Sequence, residues 1–172
     1  MKKIILLLLG IIIISNVIWS YLYFKDIKPL NTGVQVYNLN GMGEIWDVKN
    51  YKIIVSPSKI LRGHGKLVYK GDPKNIENST YYKYEIKEIN SGGNYETVYV
   101  NEASSKDGPV AILNNLNDIG SVTGEYSYDE LKKDKQNYKN TTLTITWNDS
   151  EGELHSETVA LDLDSEITLN DD

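Results

Sequence analysis

The sequence contains no cysteine, and only four of its 172 residues are proline. Without cysteine the chain has no disulfide framework, no thiol nucleophile, no cysteine zinc site and no lipid-modified cysteine. Basic residues are in the minority, with 18 Lys and Arg against 24 Asp and Glu, which gives a net charge of -6. Overall electrostatic attraction to a polyanion is therefore weak, and we expect no nucleic-acid partner.

Charge is absent from one long stretch, residues 4–24, which is almost wholly apolar. A helix over these 21 residues is about 31 Å long, and the hydrocarbon core of a bilayer is about 30 Å thick. Trp19, Tyr21 and Tyr23 lie near its C-terminal end, where aromatic rings suit a membrane interface. The sequence predicts a cytoplasmic tip at 1–3, a transmembrane signal-anchor helix at 4–24 and a C-terminal domain outside the cell membrane.

Two other interpretations of this stretch stay open. A cleaved signal peptide has a shorter apolar region and ends in small residues, whereas Ile18-Trp19-Ser20 places bulky residues at the nearest candidate site. The third interpretation is a buried helix of a soluble protein.

The rest of the chain has the opposite character. All but four of the 18 basic residues and all but one of the 24 acidic residues lie at 29–172, so this part has a net charge of -9. We expect a linker at 25–32 and an extracytoplasmic domain at 33–172, which is long enough to bury a core without disulfides or metal.

Apolar and polar residues alternate repeatedly in this domain, which indicates β-strands. Leu143, Ile145 and Trp147 alternate with threonines, and the apolar phase shifts near Asn50, which predicts a bulge or bend there. Strands are expected at 33–39, 45–48, 51–55, 67–69, 82–86, 96–100, 110–113, 142–147 and 154–163, with a turn at 148–153. Short strands at this spacing predict a mainly β fold, an antiparallel immunoglobulin-like β-sandwich.

One segment favours a helix instead. Ser127 and Glu130 have the Ser-x-x-Glu spacing of a capping box, so we expect one short helix near 128–136.

The candidate site residues are Arg62, His64, Lys66 and Tyr81. The stretch 62–66 combines two cationic side chains with two glycines, whose flexible backbone can shape a binding site for an anion. A tyrosine that faces outward can stack on a glycan ring. In the competing interpretation the glycines let an aromatic neighbour, Trp46 or Trp147, pack across a strand, and the tyrosines are ordinary strand residues.

The acidic residues near the C-terminus do not form a recognisable metal motif. Residues 149–172 carry nine acids and no Lys or Arg, yet they lack the glycine and the twelfth-position glutamate of an EF-hand loop. We interpret Asp162, Asp164 and Glu166 as the solvated face of a final strand, beside the basic strand near Arg62, and we expect no metal and no cofactor.

No catalytic constellation stands out. The two histidines, His64 and His155, are far apart in sequence, and Ser56 with Lys59 matches Ser-x-x-Lys without its companion motifs. We therefore expect a protein that is not an enzyme, and a small hydrolase is the least favoured alternative.

Three further segments are Glu44–Tyr51, Gly63–Gly71 and Ile119–Gly124, followed by Ile145-Thr146-Trp147 and Gly152. Together they resemble uncharacterised exported proteins of Bacillus-type Gram-positive bacteria. The resemblance covers about residues 41–163 and implies a membrane-anchored or lipoprotein-like chain with a small β-rich outer domain. Because the lipoproteins among them need a cysteine that this chain lacks, the resemblance implies retention by the helix.

Together these observations predict a single-pass membrane-anchored module without catalytic activity. Its expected partners are the membrane, through residues 4–24, and an unknown envelope protein. The alternative is a module that binds a cell-wall polymer or glycan through a local basic and tyrosine-rich surface.

Overall fold

The computed structural model describes residues 2–25, 33–125 and 130–169, and these divide between two compact units, Met1–Asn31 and Thr32–Asp172. The first unit contains helix α1 (Lys2–Lys25), so the helix expected at 4–24 is present. Its side chains are described at residues 10–22, and those from Ile11 to Leu22 are exposed. A search of the described residues finds no helix that is both long enough and apolar enough to span a membrane.

The second unit is mainly β and has ten strands in the described residues. They are β1 (Val34–Met42), β2 (Trp46–Val55), β3 (Lys59–Gly63), β4 (Lys66–Tyr69), β5 (Tyr81–Ile89), β6 (Tyr95–Ser104), β7 (Ser121–Glu125), β8 (Thr142–Asn148), β9 (Leu154–Ala160) and β10 (Asp162–Leu169). Two short helices, α2 (Ile112–Asn115) and α3 (Lys135–Lys139), and 3-10 turns at Pro73–Asn75 and Glu130–Lys132 connect them.

All strand pairs are antiparallel, and they form two sheets in a sandwich-like fold. The six-stranded sheet has the order β10-β1-β2-β3-β7, and β4 also pairs with β2. The four-stranded sheet has the order β6-β5-β8-β9. The predicted mainly β, antiparallel sandwich architecture is confirmed at this level.

Apolar and polar residues alternate along the strands of both sheets, and the apolar side chains pack together into one core. Trp46, Tyr51 and Ile53 from β2 meet Tyr84 and Ile145 from the second sheet, and all five are almost fully buried. Trp46 packs edge-on against Trp147 at 5.7 Å between ring centroids. Aromatic pairs of this kind add to the apolar burial that stabilises the domain.

The bend expected near Asn50 is confirmed. The register between β1 and β2 shifts between Leu39 and Gly41, and Asn50 adopts a φ of 57°. The Asn50 amide donates to the side chain of Asn40 at 2.8 Å, which satisfies a group that the irregular ladder leaves open.

Several boundaries differ from the sequence predictions. No strand forms at 110–113; helix α2 begins at Ile112 instead, and Ile112 and Leu116, one turn apart, are both buried. The expected single return strand at 154–163 is two strands, β9 and β10, which belong to different sheets. The strand expected near Arg62, continuing toward Lys70, is two strands, β3 and β4, whereas β7 was not recognised.

The helix expected near 128–136 is a 3-10 turn followed by α3. Asp134 caps α3 by accepting from the Gln136 amide at 2.9 Å, and the side chain of Asn137 accepts from the Asp134 amide. The capping box at Ser127 lies outside the described residues.

Candidate functional site

Arg62, the first predicted site residue, lies inside the sandwich. Its position on β3 faces the core, and the residue is 6% exposed. Its Nε and one terminal nitrogen donate to the two carboxylate oxygens of Glu88 at 2.7 and 2.8 Å. The terminal nitrogen also donates to Glu130 Oε1 at 2.8 Å. The guanidinium is therefore held by carboxylates of the protein itself.

Lys133 extends this arrangement. Its Nζ lies 3.2 Å from Glu88, 3.0 Å from Glu130 and 2.6 Å from Glu96, and its side chain has no exposed surface. We call Arg62, Glu88, Glu96, Glu130 and Lys133 the ion cluster. It joins β3 of one sheet to β5 and β6 of the other and to the 3-10 turn after β7. Two cations and three carboxylates give it a formal charge of -1.

The cations of the ion cluster remain charged. Burial alone disfavours a charged guanidinium, but the hydrogen bonds and charge of Glu88 outweigh it and raise the pKa of Arg62. Burial likewise opposes the charge on Lys133, and the neighbouring glutamates raise its pKa overall.

Two tyrosines of the same core, Tyr51 and Tyr84, are strongly affected by burial. Burial, followed by the charge of Glu88, raises the pKa of Tyr51 well above its usual value, and its hydroxyl makes no hydrogen bond within the described residues. Burial also raises the pKa of Tyr84, which donates to the Ile119 carbonyl at 2.5 Å. Tyr99 donates to the same carbonyl at 2.7 Å.

His64 and Lys66 are exposed at the connection between β3 and β4, on either side of Gly65. A Cβ on Gly65 would lie 3.1 Å from the Cα of Tyr51, so this glycine permits close packing against β2. The atoms nearest to this Cβ are the Cα and Cβ of Tyr51 and the Lys49 carbonyl oxygen, and neither Trp46 nor Trp147, the expected aromatic neighbours, is among them.

Tyr81, half-buried, begins β5 in the other sheet. The structure thus brings His64 and Lys66 together, places Arg62 in the interior and Tyr81 on the second sheet. The anion- or glycan-binding role of these residues stays a prediction.

The acidic strand lies elsewhere than expected. β10 pairs with β1, and β1 and β2 separate it from β3. Its carboxylates have other partners: Glu166 pairs with Lys135, and Asp164 accepts from Asn38 at 3.3 Å. The interpretation that placed this strand beside the basic strand near Arg62 was wrong.

The outer face of the six-stranded sheet carries a second feature that the sequence analysis missed. Ile167, Val36, Ile54 and Leu61 are register partners on four adjacent strands, and Thr123 of β7 continues the line. Residues directly opposite in antiparallel strands share a face. We call the four apolar residues the aliphatic row; Ile167 is exposed and the other three are half-buried.

The row ends at an open sheet edge. β7 pairs with β3 on one side, and in the described residues no strand pairs with its other side. All five of its residues are exposed. β10, the opposite edge, instead carries three carboxylates and a register shift, which hinder addition of another strand.

Comparisons with protein-family models, with curated proteins and with solved structures give no match for this chain. What the protein does must therefore be inferred from its own residues.

Proposed function

We propose that the protein is a membrane-anchored extracytoplasmic module that binds an extended segment of another envelope protein and performs no catalysis. The observation that carries this proposal is the open edge of β7. An unpaired edge presents backbone N–H and C=O groups, and an added strand satisfies them. The outward side chains of the added strand would extend the aliphatic row beyond Thr123. The bound segment would then make apolar contacts in addition to backbone hydrogen bonds.

The composition of β7 supports this role. The strand Ser121-Val122-Thr123-Gly124-Glu125 contains no proline and no lysine, the residues that most often protect an edge. Val122 is 39% exposed.

Photo-cross-linking on the full-length chain in its native membrane tests the proposal. With a photoreactive residue at Ser121, we expect one discrete adduct with a second protein. Thr123→Lys places a charge at the edge and should reduce that adduct at least about tenfold, as edge lysines oppose strand addition.

Thr144→Lys, on the outer face of the four-stranded sheet, is the matched control and should leave the adduct unchanged. Equal adduct yield with Thr123→Lys would refute edge binding. An adduct of twice the chain mass would show that the occupant is a second copy of this chain.

The sequence of residues 4–24 supports the membrane anchor. This segment lacks charge and ends in aromatic residues, and the resemblance to exported Bacillus-type proteins favours the same location. The finer fold assignment, an immunoglobulin-like sandwich, is also a proposal, supported by two antiparallel sheets of short strands.

Cell-wall polymer binding is the second candidate. His64 and Lys66 are exposed side by side, and Lys49 lies opposite Lys66 in the register of β2 and β4. Co-sedimentation of the full chain with purified wall at low salt should fall when both His64 and Lys66 become Gln. Lys74→Gln, an exposed lysine outside this patch, is the control, and equal sedimentation of all variants would eliminate this candidate.

A further inference from the structure

A group of three possible metal ligands lies at the turn between β8 and β9. Asp149, Glu153 and His155 each offer one ligand atom, and these atoms lie within 4.8 Å of one another. We call these three residues the turn cluster. It belongs to the four-stranded sheet and is independent of the β7 edge in the other sheet.

The ligand atoms need little rearrangement to bind one ion. Zinc ligands lie about 2.0–2.2 Å from the metal, so two of them stand roughly 3.4 Å apart in a tetrahedral site. His155 Nε2 and Asp149 Oδ2 are already 2.9 Å apart. Glu153 is exposed, so its side chain is free to close the remaining distance.

The backbone of the turn orients Asp149. Its Oδ1 accepts from the amides of Glu151 and Glu153 at 2.9 and 2.8 Å, which leaves Oδ2 directed at His155. The Asp149 amide donates a hydrogen bond to the Glu153 carbonyl at 2.9 Å, and this bond closes the turn. Gly152 has a φ of 90°, a conformation that favours glycine.

The core orients His155. Its ring stacks on Trp147 with centroids 5.5 Å apart and 26° between planes, and Trp147 is 2% exposed. A ligand held in this way loses little conformational entropy on binding a metal.

The charge of the turn cluster also suits a cation. Asp149 and Glu153 bring two carboxylates to the imidazole of His155. An imidazole beside two carboxylates suits zinc and other late divalent transition metals, whereas calcium and magnesium favour oxygen-only sites.

We propose that Asp149, Glu153 and His155 bind one divalent transition-metal ion through an imidazole nitrogen and two carboxylate oxygens. Three protein ligands leave a fourth position for water or for a group of a bound partner.

Titration calorimetry with zinc chloride on the full chain in detergent micelles tests this proposal. We expect one saturable site per chain. His155→Gln should weaken it at least about tenfold, since even outer partners of a metal ligand change affinity by about 10–100-fold. Glu153→Gln should also weaken it, and this variant leaves the hydrogen bonds of the turn intact.

The chain supplies matched controls. His64→Gln removes the other histidine, and Glu151→Gln removes an exposed carboxylate of the same turn; neither should change the affinity by more than about twofold. Absence of a saturable site, or equal weakening by the control variants, would overturn the proposal. If excess magnesium displaces zinc as well as zinc itself does, the binding is a general attraction of cations to acidic residues. That result would also overturn the proposal.

Discussion

Arg62 shows how one buried charge decides the arrangement of its neighbours. Its guanidinium meets Glu88 through two hydrogen bonds and Glu130 through a third. Glu88 has no exposed surface, so its charge depends on Arg62 and Lys133 for compensation. Removing one member of such a network leaves another charge buried without adequate compensation.

Arg62→Met should therefore lower the free energy of unfolding by about 3–5 kcal/mol. Urea denaturation of the full chain in detergent micelles, followed by tryptophan fluorescence, measures this change. Lys83→Met is the control, because its pair with Glu85 is on the surface and solvent-exposed pairs contribute little to stability.

The double variant Arg62→Met with Glu88→Leu should be more stable than Arg62→Met alone. It removes both charges, and Lys133 keeps Glu96 and Glu130 as partners. A double variant as unstable as the sum of the two single variants would contradict the role assigned to the ion cluster.

At the scale of elements, the turn between β1 and β2 depends on a residue from the opposite sheet. The carboxylate of Glu157 on β9 accepts from the amides of Glu44, Ile45 and Trp46, the last at 2.9 Å. A Cβ on Gly43 would clash with Glu157 Oε1, so this glycine makes room for the carboxylate. Glu157 thus fastens the two sheets together at this turn.

Glu157→Gln should destabilise this turn, because an amide offers one acceptor oxygen where the carboxylate offers two. We expect a loss of about 1–2 kcal/mol, since hydrogen bonds to charged groups are worth about 1.5–3 kcal/mol. Amide hydrogen exchange at Ile45 and Trp46 should become faster. Glu77→Gln, an exposed carboxylate elsewhere, is the control, and unchanged exchange at Ile45 and Trp46 would show that Glu157 is dispensable.

The elements also show what the sequence could predict. The strands with strict alternation, β5 and β8, were recognised because their apolar residues all face one core. β3 was not told apart from β4, because Arg62 occupies a core-facing position and a charged residue there hides the apolar alternation. β7 was missed because all five of its residues are exposed and carry no alternation at all.

The candidate site was less predictable than the fold. The sequence identified Arg62 as unusual, but its partners Glu88 and Glu130 lie 26 and 68 positions away along the chain. The turn cluster escaped notice because the spacing of Asp149, Glu153 and His155 gains meaning only when a tight turn brings them together. Strand register and turn geometry, which composition does not specify, decide both features.

At the scale of the whole molecule, the tyrosine-rich core predicts sensitivity to alkali. Burial raises the pKa values of Tyr51, Tyr84 and Tyr138 above the ordinary value near 10. Below about pH 10 these tyrosines are protonated in both the native and the unfolded chain, so the free energy of unfolding has its full value. Above it the unfolded chain releases tyrosine protons that the native state retains, so the free energy of unfolding falls as the pH rises.

We therefore expect unfolding midpoints in urea to be nearly constant between pH 7 and about pH 9.5 and to fall steeply above about pH 10. The absorbance of tyrosinate should show that the buried tyrosines ionise together with unfolding. Tyr51→Phe should make the decline shallower. A native state that ionises all 13 tyrosines without unfolding would contradict this picture of the core.

We propose above all that residues 4–24 hold the β-domain outside the cell membrane, and labelling of single cysteines tests this proposal most directly. The natural chain has no cysteine, so only an introduced thiol reacts with a membrane-impermeant maleimide. Met42 is 83% exposed, and in intact native cells we expect Met42→Cys to be labelled in full-length, membrane-bound protein. Lys2→Cys should be labelled only after the cells are permeabilised. Protection of Met42→Cys in intact cells, or recovery of the protein in the soluble fraction, would contradict the account.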